Sequence, residues 1–292
     1  MYELVQVGAQ SYYIESPAKI GVYDAGGGRV YLIDSGNDKD AGRKVRQVLD
    51  RQGWTLAGIL NTHSNADHIG GNRYWQGQTG CKVFANGAEG AFTRYPLLEP
   101  AFLYGGYPCA DLRHKFLLAQ DSEPTEITDP AFPAEVGVIP LPGHFLDMVG
   151  YRTPDDTVFL ADCLSSEATL EKYGIPFIFD VERYLATLDA VTQMRAAMFV
   201  PAHAPASTDV AALARYNRDK VLAAAERLLM VCREPITFEN ALAEMFSAYG
   251  LTMNFEQYVL VGSTVRSFLS WLKDAGRARV TFADNRLWWQ AV

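Results

Sequence analysis

The most informative part of this sequence is Thr62-His63-Ser64-Asn65-Ala66-Asp67-His68-Ile69-Gly70-Gly71. It follows a short apolar run at residues 58–60, which predicts a buried strand that ends close to His63. In an extended chain residues 63 and 65 point the same way, and the turn closed by the two glycines swings Asp67 and His68 towards a neighbouring point. One short loop can therefore supply ligands to two adjacent metal ions.

Three more candidate residues follow predicted strands or turns, namely His144, Asp162 and His203. Strand ends meet at a rim, where rigid elements position the loop residues. Imidazole and carboxylate groups are the usual ligands of zinc, iron and manganese, and an open coordination position gives a catalytic site. His114 lies in an irregular segment and is expected at the surface.

Length and composition limit the class of protein. The 292 residues, 49% hydrophobic and 21% charged, suffice for one large domain or a main domain with a small appendage. No run of about 18 apolar residues predicts a membrane span, and residues 1–5 show no secretory signal. The four cysteines form no CxxC pair, which predicts a reducing cytoplasm. The net charge of −8 without a basic run argues against a nucleic-acid partner.

Strands and helices alternate through the first two thirds of the chain. Residues 28–33 predict a strand that ends at Asp34, and residues 39–52 predict a helix. Residues 86–135 are rich in proline, glycine and aromatic residues, and they have no clear periodicity. They are either a packed connection or a lid or partner surface, because long loops in compact domains are often functional.

These motifs resemble those of the metallo-β-lactamase superfamily, in which HxHxDH is followed by a separated His, Asp and His. The sequence matches them in order at residues 62–71 and at His144, Asp162 and His203. The resemblance covers about residues 1–208 and implies an α+β fold, the αββα sandwich of two sheets with helices outside and a site at one edge. The form of the first motif is similar to that of glyoxalase II and its relatives.

The resemblance also implies roles for individual residues. Asp67 would bind metal and orient the nucleophile, which makes it the expected catalytic residue. Asp34 matches a buried aspartate after an early strand, and hydrogen bonds from such a residue fix the orientation of metal ligands; capping of a turn is the alternative role. The implied metal ligands are His63, Asn65, Asp67, His68, His144, Asp162 and His203.

Asn65 departs from the family pattern, which has a histidine there that helps to bind the first metal. An amide oxygen is a weaker, neutral ligand. Three arrangements stay open: two metals with Asn65 as a poor ligand or water-holder, one metal in the second site, or one iron in the first. We favour a weakened dinuclear site that holds one or two zinc ions, with iron or manganese as alternatives.

After His203 the pattern becomes helical. Three helices are predicted at 209–232, 238–249 and 255–275, followed by a hairpin at 279–292. Residues 209–292 therefore predict a linking helix and a small C-terminal domain that resembles a winged helix. Its last part, residues 235–292, carries five basic and five acidic residues, and this neutrality argues against DNA binding. Packing, dimerisation or a contribution to the substrate pocket remain as its roles, so a homodimer is one open alternative.

The sequence predicts a metal-dependent hydrolase whose metal-bound hydroxide attacks a small-molecule thioester, lactone or related ester or amide. A mononuclear iron sulfur (persulfide) dioxygenase is one alternative, because His63, His144 and Asp162 form a two-histidine, one-carboxylate set. A catalytically weak, metal-binding regulatory protein is another, because Asn65 weakens the site.

Overall fold

In the computed structural model, which describes residues 2–292, two β-sheets stack face to face. Strands β1 to β4 of the first sheet are antiparallel, whereas β4 to β7 are parallel. The carboxyl ends of β4 and β5 therefore lie at the same edge. The first sheet runs in the order β1 (Leu4–Gln6), β2 (Ser11–Ile14), β3 (Ile20–Asp24), β4 (Arg29–Ile33), β5 (Thr55–Leu60), β6 (Lys82–Ala85) and β7 (Pro124–Glu126).

The second sheet has the order β11-β10-β9-β8. Only β10 and β11 are parallel in it, so their carboxyl ends also share an edge. Its strands are β8 (Gly137–Pro140), β9 (Val149–Arg152), β10 (Thr157–Ser165) and β11 (Met198–His203). Tyr31 and Phe84 from the first sheet pack with Tyr151 and Phe159 from the second, which makes the apolar layer between the sheets.

Helices cover both outer faces of the sandwich. The first sheet packs against α1 and α3 through Val45, Leu49 and Trp75. The second sheet packs against the helices from α7 onwards, and the αββα sandwich is thus confirmed. The helices are α1 (Lys39–Gln52), α2 (Ala66–Ile69), α3 (Asn72–Thr79), α4 (Ala88–Arg94), α5 (Leu98–Tyr104), α6 (Glu167–Tyr173), α7 (Val181–Gln193), α8 (Ala211–Val231), α9 (Phe238–Ala248) and α10 (Phe255–Asp274).

The C-terminal region has the three helices and the hairpin that the sequence predicts. The hairpin joins β12 (Ala278–Ala283) to β13 (Arg286–Ala291). Asp284 and Asn285 both have positive φ angles, 53° and 57°, as a two-residue hairpin turn requires. Residues of α8, α9 and α10 share one apolar cluster with β10 and β11. The winged-helix resemblance and the boundary at residue 208 stay predictions.

The connection at 86–135 is more regular than its sequence indicates. It contains α4, α5, a 3-10 turn at Ala110–Leu112 and the edge strand β7. The two helices have seven residues each, too few for a clear helical period in the sequence. None of the helices in residues 2–292 is both long enough and apolar enough to cross a membrane.

Gly70 and Gly71 let α2 and α3 lie directly against the loop that follows β4. A Cβ atom on Gly70 would overlap the carbonyl oxygen of Asn37, and one on Gly71 would overlap that of Ser35. Since backbone atoms cannot move aside like a side-chain tip, both positions require glycine for close approach.

We expect Gly70→Ala to lower the free energy of unfolding by about 1–3 kcal/mol or more, because the added methyl group meets backbone. Gly77→Ala is the matched control. Gly77 lies in α3, and a Cβ atom there would meet no atom of residues 2–292 within 4 Å outside its own stretch of helix. That control should gain about 0.5–1 kcal/mol from the better helix propensity of alanine. Urea unfolding of both variants measures the difference, and equal stabilities would contradict the close-packing argument.

Candidate metal centre

The candidate site is anchored by the carboxylate of Asp34, at the end of β4. Asp34 is buried and has a positive φ of 64°, a conformation that aspartate tolerates better than most residues. Its Oδ1 accepts a hydrogen bond from the backbone N–H of Thr62 at 2.8 Å, and its Oδ2 accepts one from the Thr62 hydroxyl at 2.7 Å. The same Oδ2 lies 2.8 Å from Nδ1 of His68. Asp34 therefore ties the loop after β5 to the end of β4.

The Thr62 hydroxyl also connects Asp34 to His63 by hydrogen bonds. This hydroxyl has one hydrogen, which it donates to the Asp34 carboxylate. The hydroxyl must then accept from Nδ1–H of His63, 2.9 Å away. This fixes the tautomer of His63 and leaves the lone pair on Nε2.

His144 and His203 have the same arrangement. Nδ1 of His144 donates to the carbonyl oxygen of Phe177 at 3.0 Å, and Nδ1 of His203 donates to that of Pro17 at 3.1 Å. All four histidines thus bond outwards through Nδ1 and keep Nε2 for the centre. Outward bonds of this kind to a carboxylate or backbone carbonyl are the rule for metal-bound histidine.

The inward-facing atoms form two groups with Asp162 between them. His63, His144 and Asp162 offer one set of ligand atoms within 4.8 Å of one another, and Asp67, His68 and His203 offer a second. Asp162 Oδ1 lies 3.0 Å from Nε2 of His68, and its Oδ2 lies 3.1 Å from Nε2 of His203 and 3.6 Å from that of His144. Asp162 is therefore placed to touch both positions.

Unpaired polar atoms test whether this centre fits a metal. Nε2 of His63, Nε2 of His68 and Oδ1 of Asp162 are buried, and none of them makes a hydrogen bond within residues 2–292, although the last two atoms lie 3.0 Å apart. A buried polar atom without a partner is costly unless something else satisfies it. Lone pairs of imidazole and carboxylate are the donors that a divalent metal uses, so the residues present fit a metal centre.

A β-bulge directs Asp162 into this group. The register between β10 and β11 shifts on both sides of Ala161, which has a positive φ of 50°. For alanine this conformation costs about 1–2 kcal/mol. Bulges commonly redirect a side chain next to an active site. The sequence predicted that β10 ends before Asp162, whereas the strand runs on to Ser165 past the bulge.

Two buried glutamates in the connection at 86–135 form hydrogen bonds with the metal loop, residues 62–71, which carries the first predicted ligands in the sequence. Glu89 of α4 accepts from the backbone N–H of Ser64 at 2.9 Å and from that of Asp147 at 2.8 Å. Glu99 of α5 accepts from Nδ2 of Asn65 at 2.8 Å. The sequence analysis missed both residues. A glutamate in an irregular segment is ordinarily exposed, and only its burial distinguishes it.

The charges in the centre shift its pKa values when no metal is bound. Burial disfavours the charged form of His203, but the carboxylates of Asp162 and Asp67 outweigh it and raise its pKa to about 10. Burial likewise opposes ionisation of Asp162, but His203 and His68 outweigh it and hold the Asp162 pKa well below its ordinary value. For His63, burial and the neighbouring His68 lower the pKa and keep the ring neutral.

Two of the clefts in residues 2–292 have predicted ligands in their lining. One, of about 290 Å³, opens beside His144 and Asp162 and has Tyr173 in its wall. The other, of about 350 Å³, reaches Asp67 and is bordered by Lys115 and Phe116. A third groove, of about 670 Å³ between α5, α7 and α10, has none of the predicted ligands in its lining.

The structure brings all seven predicted ligand residues, and Asp34 behind them, into this one region. His114 lies outside it, in the exposed turn beside Phe116, as expected. The candidate ligands and their order along the chain could be predicted from the sequence. The Asp34–Thr62–His63 chain of hydrogen bonds was not, because it joins residues that are 28 positions apart.

We expect Asp34→Asn to weaken zinc binding by about 10- to 100-fold, because an amide cannot accept hydrogen bonds on both sides. Asparagine also tolerates a positive φ, so the backbone is kept. Competition with a chromophoric chelator measures the affinity. Asp155→Asn is the control, since Asp155 also accepts from a backbone N–H and a hydroxyl, but in the β9–β10 turn. Equal affinities in the two variants would contradict the role of Asp34.

Protein stripped of metal should lose stability as the pH rises from about 6.5 towards 10. The pKa of His203 is about 10 in the folded chain, against roughly 6.5 in an unfolded one. Its protonation therefore stabilises the fold fully below pH ~6.5, and this stabilisation is lost as the pH passes the folded value. Melting temperatures of wild type and His203→Asn across this range test the sign. A difference between them that does not change with pH would refute it.

Comparison with known proteins shows the family of this chain. Residues 13–203 match the family model described as the metallo-beta-lactamase superfamily. The hydroxyacylglutathione hydrolase of Rhodopseudomonas palustris (strain BisB18) is 33% identical over 146 residues, which are 50% of this chain and 47% of that protein. This chain spans about half the length of the curated relatives that it matches.

Two solved structures resemble the whole fold. A beta-lactamase domain protein from Burkholderia ambifaria has a TM-score of 0.75 at 17% identity, over 99% of this chain and 94% of its own. A metallo-beta-lactamase family protein from Thermus thermophilus has a TM-score of 0.73 at 18% identity, over 99% and 98%. Both likenesses concern the fold alone. Since the family model covers well over half of its residues, this chain belongs to the metallo-beta-lactamase superfamily.

Proposed function

We propose that this protein is a metal-dependent hydrolase that cleaves a thioester, lactone or related ester or amide of a small molecule, with zinc as its metal. One observation carries the proposal. Four imidazole Nε2 atoms and two carboxylates face one another, while each Nδ1 is bonded outwards to a fixed acceptor. A cluster built in this way suits metal binding better than a packed polar core.

Two metal positions follow from the two groups. His63, His144 and Asp162, with the amide oxygen of Asn65 beside His144, would hold the first. The second would be held by Asp67, His68 and His203 together with Asp162. The second set contains two carboxylates, so we expect it to bind a divalent cation more tightly than the first.

A divalent metal at these positions would lower the pKa of a coordinated water towards neutral and polarise the carbonyl under attack. Asp67 is the residue placed to orient that water. Its side chain is partly exposed and borders the cleft of about 350 Å³, so solvent can reach it. Its Oδ2 also lies 3.5 Å from Nε2 of His203 and 3.6 Å from that of His68, so it stays in the ligand group.

The cleft of about 290 Å³ is the proposed place for the acyl part of the substrate. Ser165, Thr169 and Tyr173 lie at its polar side, and α10 closes it with Gln257 and Leu260. Its volume is at the lower end of the range for small-molecule sites. The position of α10 in this wall supports a contribution of the C-terminal region to the substrate pocket, one of the three roles that the sequence left open for it. The rest of its wall is mostly apolar and includes Leu170, Ile175, Pro176, Phe177 and Val261.

The curated relatives favour a thioester among these substrates. Three of them are hydroxyacylglutathione hydrolases, a name that describes cleavage of a glutathione thioester. This chain matches only about half of their length, so we infer the class of bond and not the glutathione group.

Hydrolysis of a panel of thioesters, lactones and esters by the zinc-loaded full chain tests the proposal. Turnover that is lost with a chelator and restored by zinc would support it. Tight iron binding with oxygen uptake on a persulfide would replace it with the dioxygenase. Bound metal without turnover on the whole panel would favour a regulatory protein.

We expect Asp67→Ala to reduce turnover on any accepted substrate by at least about 100-fold, because it removes both a ligand and the group that orients water. Asp121→Ala, at an exposed position outside the centre, is the control for loss of one carboxylate. Initial rates at saturating zinc measure the effect. Full activity of Asp67→Ala would exclude this role.

A further inference from the structure

The orientation of the Asn65 side chain raises a physical problem. Its Nδ2 donates to Oε1 of Glu99 at 2.8 Å, so its Oδ1 points the other way, 3.2 Å from Nε2 of His144. That Nε2 carries a lone pair, because Nδ1 of the same ring donates to the carbonyl oxygen of Phe177. Two acceptor atoms therefore face each other with no hydrogen between them.

Turning the amide over does not solve the problem. Nδ2 could then donate to His144, but its hydrogen bond to Oε1 of Glu99 would be lost, and Oδ1 would face that oxygen instead. Glu99 therefore decides which end of the amide faces His144, and a cation shared by Asn65 Oδ1 and His144 Nε2 resolves the remaining conflict.

The burial of Glu99 is offset by its hydrogen bond with Asn65. Glu99 lies in the first turn of α5, with 4% of its surface exposed, and burial of a carboxylate is unfavourable without hydrogen bonds. The donor to the Glu99 carboxyl group is the side chain of Asn65, a predicted metal ligand. The other buried glutamate of the same connection, Glu89, bonds instead to Ser64 and Asp147.

We propose that Glu99 is a positioning residue that holds the amide oxygen of Asn65 towards the first metal position, so that Asn65 acts as a metal ligand in place of an imidazole. This inference rests on the proposed metal centre. It makes Asn65 and Glu99 one functional unit. It also makes affinity at the first position depend on a residue of α5.

A double-mutant cycle on the full chain tests this unit. Metal-free wild type, Glu99→Leu, Asn65→Ala and the double variant are titrated with zinc in competition with a chromophoric chelator, and cobalt spectra report the ligands of each position. We expect Glu99→Leu to lower the zinc affinity of the first metal position, the weaker of the two, by about 10- to 100-fold. The tighter position should change by less than about threefold, and Glu99→Leu should add nothing in the Asn65→Ala background.

Glu123→Leu removes a carboxylate from the same connection at an exposed position and should leave both affinities unchanged. Glu99→Gln should fall between wild type and Glu99→Leu, because its amide oxygen can still accept from Asn65. If Glu99→Leu does not fold, the cycle is run with Glu99→Gln. Unchanged affinities in the Glu99 variant, equal losses at both positions, or additive effects in the double variant would overturn the inference. Wild type that binds no zinc or lacks turnover would instead overturn the proposed function.

Discussion

The carboxylate of Asp34 is buried at the end of β4, where each unpaired oxygen would carry a large desolvation penalty. Bonds from the backbone and hydroxyl of Thr62 and from the ring of His68 remove that penalty. Through the Thr62 hydroxyl the same carboxylate also sets the tautomer of His63. The rest of the site depends on this constraint, because it fixes the positions of Nε2 of His63 and Nε2 of His68. The other ligands surround these two atoms.

His144, Asp162 and His203 come from the second sheet and its loops, so the centre exists only where the two sheet edges meet. His203 ends β11, and Asp162 lies in the parallel neighbour β10, whose bulge at Ala161 turns the carboxylate inwards. A strained backbone of this kind persists when the surrounding packing stabilises it, and it is common at functional sites. The apolar layer between the sheets holds both edges in place. Metal binding would therefore be coupled to the packing of the whole sandwich.

Residues outside the ligand set also shape this site. The connection at 86–135 contributes Glu89 and Glu99, which hold the two sides of the metal loop. The C-terminal helix α10 closes the cleft beside His144. Sequence reasoning did not identify these residues, because a glutamate in a proline-rich connection or a residue on an amphipathic helix has no distinctive spacing. Burial and contact distinguish them, and both are properties of the folded chain.

The sequence by itself determined the candidate ligands, and through its resemblance to the superfamily it implied the layer order. Strand periodicity, the spacing of His63, Asp67 and His68, and the single residues after later strands are local features that a linear pattern records. The tertiary structure decided which atoms of those ligands face the centre and what lies behind them. It set every histidine tautomer, the orientation of the Asn65 amide and the position of Asp162 between two groups. These depend on hydrogen bonds between residues far apart in the chain, and such pairings form only when the two sheets pack.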